Sequence, residues 1–286
     1  MKNISVNPVS FRTARREIAI GERTLIMGII NTTPDSFSND GLYGFPEKAI
    51  EEGIRMAEYG ADMIDIGGES SRPGSEPVTL EEELKRVIPV VRGLCARLTL
   101  PLSVDTMKAK VARAALDEGA EIINDISSLN YDPEMTQTIS HSGAAIVLMH
   151  MRGTPKIMQK GELTYRSVPG DMIDFLKERI EQAQSAGIKE DRIVVDPGVG
   201  FGKTPVDNMR MIRYLNNFKS LEKPILVGVS RKSFIGHITG GPPQERIEGT
   251  AAAVTAAILN GADIVRVHDV SFMKQVVMMA DAINRA

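Results

Sequence analysis

The chain has 286 residues, of which 42% are hydrophobic and 25% charged, a balance typical of globular proteins. Its net charge of −3, without a long basic or acidic block, argues against nucleic acid or an anionic membrane surface as a partner. No apolar run approaches the ~20 residues of a membrane-spanning helix, and the first residues lack the apolar core of a secretory signal. We therefore expect a soluble, cytoplasmic protein.

Short apolar runs rich in Val and Ile alternate with longer helical patterns along the chain. In chain order, the predicted strands are TLIMGI, DMIDIG, PLSVD, EIINDI, AAIVLM, RIVVDPG, PILVGVS and DIVRVHD. Predicted helices between them include PEKAIEEGIRMAEYG, TLEEELKRVIPVVRGLCARL, DMIDFLKERIEQAQSAG and GTAAAVTAAILNGA. Because the strands are continuously apolar rather than alternating, they indicate parallel strands covered by helices. Eight strand–helix pairs predict an α/β fold, the (β/α)8 TIM barrel.

The whole chain, residues 1–286, is expected to form one domain, since no linker-like stretch or change of composition divides it. Residues 1–23 precede the repeating pattern and are interpreted as an N-terminal extension that plugs the barrel floor or forms a short hairpin there. An open, doubly wound sheet is the alternative fold.

Polar side chains recur at the carboxyl ends of the predicted strands, which form the active face of such barrels. The principal ones are Asn31, Asp35, Ser71, Arg72, Asp105, Asn124, Asp196, Lys232, Ser233, Arg266 and His268. Three of them have structural alternatives. Asp105 could cap the following helix, Asn124 could be an internally satisfied core amide, and Asp196 could simply begin a Pro-Gly turn.

Several familiar motifs are excluded by their spacing. The segment GVGFGKT has Pro197 where the phosphate-binding loop requires glycine, and Lys203 where the dinucleotide fingerprint requires glycine or alanine. The four histidines are too scattered for a tetrahedral zinc site, and no G-x-S-x-G nucleophile motif is present.

Two kinds of side chain remain at the predicted active face. The acids and amide at 105, 124 and 196 suit a flat heterocycle with amino and oxo groups, whereas Arg72, Lys232, Arg266 and His268 offer cations for an anionic group such as a diphosphate. A solvated surface position is the alternative for each cation taken singly.

Eight segments in order, MGIINTTPDSFSNDG, DIGGESSRPGS, SVDT, INDIS, LMHMRGTPKIMQ, DPGVGFGKT, GVSRKSFIG and VRVHDV, closely resemble the signatures of the dihydropteroate synthase family. The resemblance spans about Leu25 to Val270. It implies a folate-biosynthesis transferase on a (β/α)8 barrel, usually a homodimer and a target of sulfonamides. Such an enzyme joins (7,8-dihydropterin-6-yl)methyl diphosphate to 4-aminobenzoate, with Mg²⁺.

The resemblance also implies residue roles. Catalysis would rest on Asp105, Lys232, Arg266 and His268. The pterin would contact Asp105, Asn124, Met149, Asp196 and Lys232. The diphosphate would contact Asn31, Ser71, Arg72, Arg266 and His268, with Asn31 also holding the metal. The 4-aminobenzoate site would comprise Asp35, Phe37, Ser71, Arg72, Pro73, Phe201 and Ser233.

Three other functions compete with this one. A pterin-binding methyltransferase acting with a corrinoid protein would share the pterin residues but has little use for SSRPG and SRKS. An aldolase would form a Schiff base on Lys232. A non-enzymatic module would bind pterin without releasing diphosphate.

Overall fold

The computed structural model describes residues 10–33 and 46–286. The strands in these ranges are β1 (Ser10–Arg12), β2 (Glu17–Ala19), β3 (Leu25–Asn31), β4 (Met63–Gly67), β5 (Leu102–Asp105), β6 (Ile122–Asp125), β7 (Ala145–Met149), β8 (Ile193–Asp196), β9 (Leu226–Gly228) and β10 (Ile264–Val267). The helices are α1 (Pro46–Glu58), α2 (Leu80–Cys95), α3 (Ala109–Asp117), α4 (Met135–Ser142), α5 (Gly170–Ser185), α6 (Pro205–Arg213), α7 (Ser233–Thr239), α8 (Ile247–Leu259) and α9 (Val270–Arg285).

Strands β3 to β10 form one parallel sheet in the order β8-β7-β6-β5-β4-β3-β10-β9. The sheet closes on itself, because Val195 and Ile225 form a parallel bridge and the Val195 amide donates to the Pro224 carbonyl at 2.9 Å. Each of the eight predicted strands is present, and the (β/α)8 barrel is confirmed. The alternative of an open, doubly wound sheet is wrong.

The helices cover the barrel with their apolar faces, as the continuous burial of the strands requires. Two of them begin at a threonine whose hydroxyl accepts from the backbone: Thr79 from the amide of Glu82 at 3.2 Å, and Thr204 from that of Asp207 at 3.1 Å. None of the helices in the described ranges is both long and apolar enough to span a bilayer.

Side chains that point into the barrel change character along each strand, because every second residue faces inward. Near the amino ends they form an apolar layer that includes Leu25, Met63 and Val194. The hairpin of β1 and β2 packs against this layer through Phe11, which is 1% exposed, and Ile20. The polar inward-facing residues are thus confined to the opposite end of the barrel.

Candidate active site

A cavity of about 400 Å³ opens at the carboxyl ends of the strands. Nine of the residues predicted from the sequence line it: Asn31, Ser71, Arg72, Pro73, Phe201, Lys232, Ser233, Arg266 and His268. They come from the ends of β3, β4, β8, β9 and β10, so residues far apart in sequence share one space. Asp35 and Phe37, which were also predicted, lie outside the described residues.

Arg266 is held at the foot of the cavity by two carboxylates. Its Nε lies 2.6 Å from Oδ2 of Asp65, and its Nη2 lies 3.1 Å from Oδ2 of Asp105. The same Oδ2 of Asp65 accepts a hydrogen bond from Nδ2 of Asn124 at 3.1 Å. Residues from β4, β5, β6 and β10 therefore form one network, in which each side chain orients the next.

Charge in this network is strongly coupled. Burial raises the pKa of Asp105 to about 8, opposed by Arg266 and reinforced by the neighbouring Asp65. The pKa of Arg266 is raised because both carboxylates favour its charged form, which outweighs the effect of burial. The guanidinium therefore stays charged.

Three buried polar atoms beside this network have no hydrogen-bond partner among the described residues. They are Oδ1 of Asp65, Oδ1 of Asn124 and Oγ of Ser103. Asp65 and Ser103 are paired in register on adjacent strands, and Asp65 is wholly buried. Since leaving a buried acceptor unsatisfied costs free energy, unpaired oxygens grouped beside a residue that lines the cavity, Arg266, are typical of a site that a bound molecule completes.

Asp196 and Lys232 form a second polar pair nearby. Oδ1 of Asp196 accepts from the amide of Gly198 at 2.7 Å, and Lys232 Nζ donates to the carbonyl of Val199 and lies 4.4 Å from the ring centroid of Phe201. Burial raises the pKa of Asp196 and lowers that of Lys232 to about 8, each opposed by the charge of the other.

His268 and Asn31 meet at the mouth of the network. Nε2 of His268 lies 3.3 Å from Nδ2 of Asn31, and Nδ1 lies 2.9 Å from Oγ of Ser230. Burial, followed by the charges of Arg231 and Arg266, lowers the pKa of His268 to about 3. The imidazole is thus neutral near pH 7, which differs from the cationic role expected from the sequence.

The opposite wall of the cavity comes from the segment after β4. Oε2 of Glu69 accepts from Nζ of Lys108 at 2.5 Å and from the amide of Val78 at 3.2 Å. The amide of Gly74 donates to the carbonyl of Pro155 at 3.0 Å. These contacts anchor both ends of the segment that carries Ser71, Arg72 and Pro73.

An apolar wall completes the site. Met149, which is 2% exposed, belongs to a buried cluster with Phe201 and four other residues: Met107, Ile126, Met151 and Met158. Met149 is paired in register with Asp196, so this apolar surface adjoins the acidic end of β8. A flat ring could therefore lie against sulfur and aromatic groups while its edge met polar atoms.

The structure decides the three alternatives left open by the sequence. The first amide of helix α3, at Ala109, donates to Oδ2 of Asp132 at 2.8 Å, whereas Asp105 pairs with Arg266, so the capping alternative for Asp105 is wrong. Asn124 donates to Asp65 but keeps an unpaired oxygen, so it is only half satisfied. Asp196 does accept from the turn that follows it, and it also lies beside Lys232.

Asp65 and Arg246 are among the residues that reasoning from the sequence missed. Asp65 lies inside the apolar strand DMIDIG, and the signal that singled out Asn124, a polar residue in a buried strand, would have found it. Arg246 lines the cavity from the segment before α8, and its Nη1 donates to the carbonyl of Arg231 at 3.0 Å. No local motif marks Arg246.

Metal binding can be judged from the oxygen atoms present. Within residues 10–33 and 46–286, no three His, Cys, Asp or Glu side chains are grouped as metal ligands. Asn31 lines the cavity, and its side-chain amide oxygen is a hard ligand of the kind that Mg²⁺ accepts. Mg²⁺ commonly takes only one or two protein ligands and completes its shell with phosphate and water, so this donor set fits a metal bound together with a phosphorylated substrate.

Comparison with known proteins places the chain in a family. Residues 27–268 match the family described as pterin binding enzyme. The chain is 47% identical over 267 residues to the dihydropteroate synthase of Synechocystis sp., covering 93% of this chain and 92% of that protein. The dihydropteroate synthase of Yersinia pestis, solved with a sulfonamide drug complex, is 39% identical, with a TM-score of 0.92 and coverage of 96% and 99%.

A third comparison concerns a substrate-bound structure. The dihydropteroate synthase of Xanthomonas albilineans, solved with 4-aminobenzoic acid, is 41% identical to the chain, with a TM-score of 0.90. The alignment covers 98% of this chain and 99% of that one. The chain belongs to the dihydropteroate synthase family of pterin-binding enzymes.

Proposed function

We propose that the chain joins (7,8-dihydropterin-6-yl)methyl diphosphate to 4-aminobenzoate by a dissociative substitution, releasing 7,8-dihydropteroate and diphosphate. As a family member it is a transferase of folate synthesis. The observation that supports the site's role is the network around Arg266, which lines the cavity: Arg266 is bound by Asp65, and Asp65 and Asn124 each keep a buried oxygen without a partner among the described residues. The amino and ring N–H groups of a pterin are donors that match these acceptors.

The pterin ring would lie at the foot of the cavity. Asp105, Asn124 and Asp196 would accept hydrogen bonds from its polar edge, and Lys232 would donate to its oxo side. Met149 would pack against the ring face. Support for this arrangement comes from the burial of Asn124 and Asp196, since hydrogen bonds are strongest where water is excluded.

The diphosphate would lie at Arg266, on the side of that residue that faces the mouth of the cavity. Arg266 is charged there, and the neutral His268 can donate one N–H while Ser71 and Arg72 approach from the segment after β4. Asn31 would hold Mg²⁺ jointly with the diphosphate oxygens. When bound, this ion would neutralise part of the leaving group's charge.

Bond cleavage would precede attack. The C–O bond between the methylene carbon and the diphosphate breaks, its electron pair leaves with the diphosphate, and the pterin delocalises the positive charge on the carbon. The carboxylates at the foot of the cavity favour that cation, while Arg266 and His268 hold the leaving anion. The amine of 4-aminobenzoate then forms the new C–N bond and loses a proton.

The 4-aminobenzoate would bind nearest the solvent. Its site would consist of Ser71, Arg72, Pro73, Phe201 and Ser233, together with Asp35 and Phe37. These residues hold a weak nucleophile against the carbon and keep out competing water. Because the 4-aminobenzoate site is completed next to the bound diphosphate, we expect diphosphate to bind before 4-aminobenzoate.

One assay tests this function. Diphosphate release from the pterin diphosphate is measured with and without 4-aminobenzoate, using Lys232→Ala and, as a matched control, Lys110→Ala on the exposed face of α3. We expect release that depends on 4-aminobenzoate, is impaired in Lys232→Ala and is retained in Lys110→Ala. Release that ignores 4-aminobenzoate, or borohydride trapping of a carbonyl substrate on Lys232, would contradict the proposal.

We further propose a cytoplasmic homodimer. Helix α9 exposes several large apolar side chains, namely Phe272, Met278, Met279 and Ile283, and Leu259 of the neighbouring α8 is also exposed. Several large apolar side chains exposed on one helix are typical of a protein–protein interface. Sedimentation of the wild type against Met278→Lys tests the dimer.

A further inference from the structure

The segment 198–203, which we call the glycine loop, connects β8 to α6 and carries Phe201. Glycines 198, 200 and 202 all have positive φ, between +68° and +89°. Every backbone carbonyl of the loop accepts a hydrogen bond from a side chain. The donors, each with its acceptor carbonyl in parentheses, are Lys203 (Gly198), Lys232 (Val199), Gln159 (Gly200), Lys203 (Phe201), Tyr165 (Gly202) and Asn208 (Lys203). A loop held at every residue has one conformation.

Lys203 supplies two of these bonds from inside the protein. Its side chain is 2% exposed, and Nζ lies 2.8 Å from the carbonyl of Gly198 and 3.1 Å from that of Phe201. Nζ also lies 2.9 Å from Nδ1 and 3.3 Å from the carbonyl oxygen of His150. Lys203 thus connects the ends of β7 and β8.

The imidazole of His150 is suited to accept this bond. Burial, with a further contribution from Lys203, lowers the pKa of His150 to about 3, so the ring is neutral. With Lys203 Nζ donating, Nδ1 of His150 accepts and the ring proton lies on Nε2. The rings of Phe175 and Tyr165 pack edge-on against the imidazole at 5.0 and 6.0 Å between centroids.

The glycine loop packs closely against the residue that follows β7. A Cβ at Gly198 would lie 1.9 Å from the carbonyl oxygen of His150. The position of the loop is therefore set by the His150 backbone on one side and by Lys203 within. The far end of the loop places the Phe201 ring 4.4 Å from Lys232 Nζ, and both residues line the cavity.

We propose that Lys203 is a positioning residue for the reaction: its buried amino group holds the glycine loop so that Phe201 and Lys232 keep their places in the substrate cavity. Lys203 is not among the residues that line the cavity, so it acts through its neighbours. The consequence for turnover rests on the proposed function, whereas the consequence for the position of residue 201 does not.

A double-mutant cycle tests the connection to substrate. Lys203→Met, Phe201→Ala and the double variant are compared with the wild type by steady-state kinetics. We expect Lys203→Met to raise the KM for 4-aminobenzoate at least about tenfold, with a smaller effect on kcat. In the Phe201→Ala background, the same substitution should raise KM by a smaller factor than in the wild type, because the part of its effect that passes through Phe201 is already lost. Thr204→Ala, which removes the adjacent helix cap without touching Nζ of Lys203, serves as the control.

A fluorescence measurement tests the proposal independently of activity. The chain has no tryptophan, so Phe201→Trp introduces a single reporter at the cavity wall. Adding Lys203→Met should shift its emission to longer wavelength and increase acrylamide quenching, while adding Thr204→Ala should not. Equal KM effects in both backgrounds, or an unchanged emission spectrum, would overturn the proposal.

If Lys203→Met does not fold, His150→Gln, which alters only the imidazole contact, should give a smaller change in the same direction. Inactive wild-type protein with the predicted fluorescence change would instead refute the proposed function alone.

Discussion

Replacing Asp65 by asparagine isolates the charge at the centre of the site. Oδ2 of Asp65 accepts both from Arg266, at 2.6 Å, and from Asn124, at 3.1 Å, while Oδ1 has no partner among the described residues. An asparagine in the same rotamer can place its carbonyl oxygen at the Oδ2 position. Its NH₂ group then takes the Oδ1 position, which has no hydrogen bond to lose. Asp65→Asn therefore removes the negative charge and keeps both hydrogen bonds. Asp65→Ala removes the bonds as well.

The expected magnitudes follow from burial. Hydrogen bonds to a charged group contribute about 1.5–3 kcal/mol and neutral ones about 0.5–1.5 kcal/mol, so Asp65→Asn should lower the free energy of unfolding by about 1–3 kcal/mol. Asp65→Ala leaves Arg266 Nε and Asn124 Nδ2 without that acceptor and should cost about 3–5 kcal/mol.

Chemical denaturation at neutral pH measures both losses. The matched control is Glu118→Gln, the same loss of charge opposite Arg92 in a solvent-exposed pair, which should change the stability little. An Asp65→Ala variant as stable as the Glu118→Gln variant would refute the view that a buried carboxylate holds Arg266. A lowered stability with unchanged pterin affinity would separate the structural role of Asp65 from its role in the site.

Three further substitutions probe the site and its supports. Asp196→Asn should weaken pterin binding by roughly 2–4 kcal/mol in calorimetry, because its oxygen stays with the Gly198 amide and its NH₂ then faces the ligand; unchanged affinity would contradict this. Gly198→Ala should destabilise the protein by about 2–5 kcal/mol, since it adds a clash to positive φ; Gly187→Ala, with positive φ but open space, should cost only about 1–2 kcal/mol. His150 has a pKa of about 3 when folded against an ordinary 6.5, so its stabilising effect is present above pH 6.5 and is lost as the pH falls. The stability difference between wild type and His150→Gln should therefore shrink by about 1.4 kcal/mol per unit between about pH 6 and 4, and a constant difference would exclude a buried neutral histidine.

The barrel could be derived from the sequence because its strands are buried on both faces. A strand covered by helices must be apolar at every residue, so runs such as AAIVLM and RIVVDPG are visible without any knowledge of their neighbours. The strand ends could be found for the same reason, since the polar residues there interrupt the apolar runs. Asn31, Asp105 and Asp196 were located in this way.

Pairings within the site depend on the closed barrel and on nothing local. Asp65 and Arg266 are 201 residues apart, and their strands lie near one another because β10 pairs with β3, the neighbour of β4. The position of Asp105 in the sequence fits a helix cap and a site residue equally well. Its hydrogen bond with Arg266 in the folded protein distinguishes the two roles. From the sequence alone, Lys203 cannot be told from a surface lysine. Its burial depends on how the folded loop packs around it and not on the local sequence.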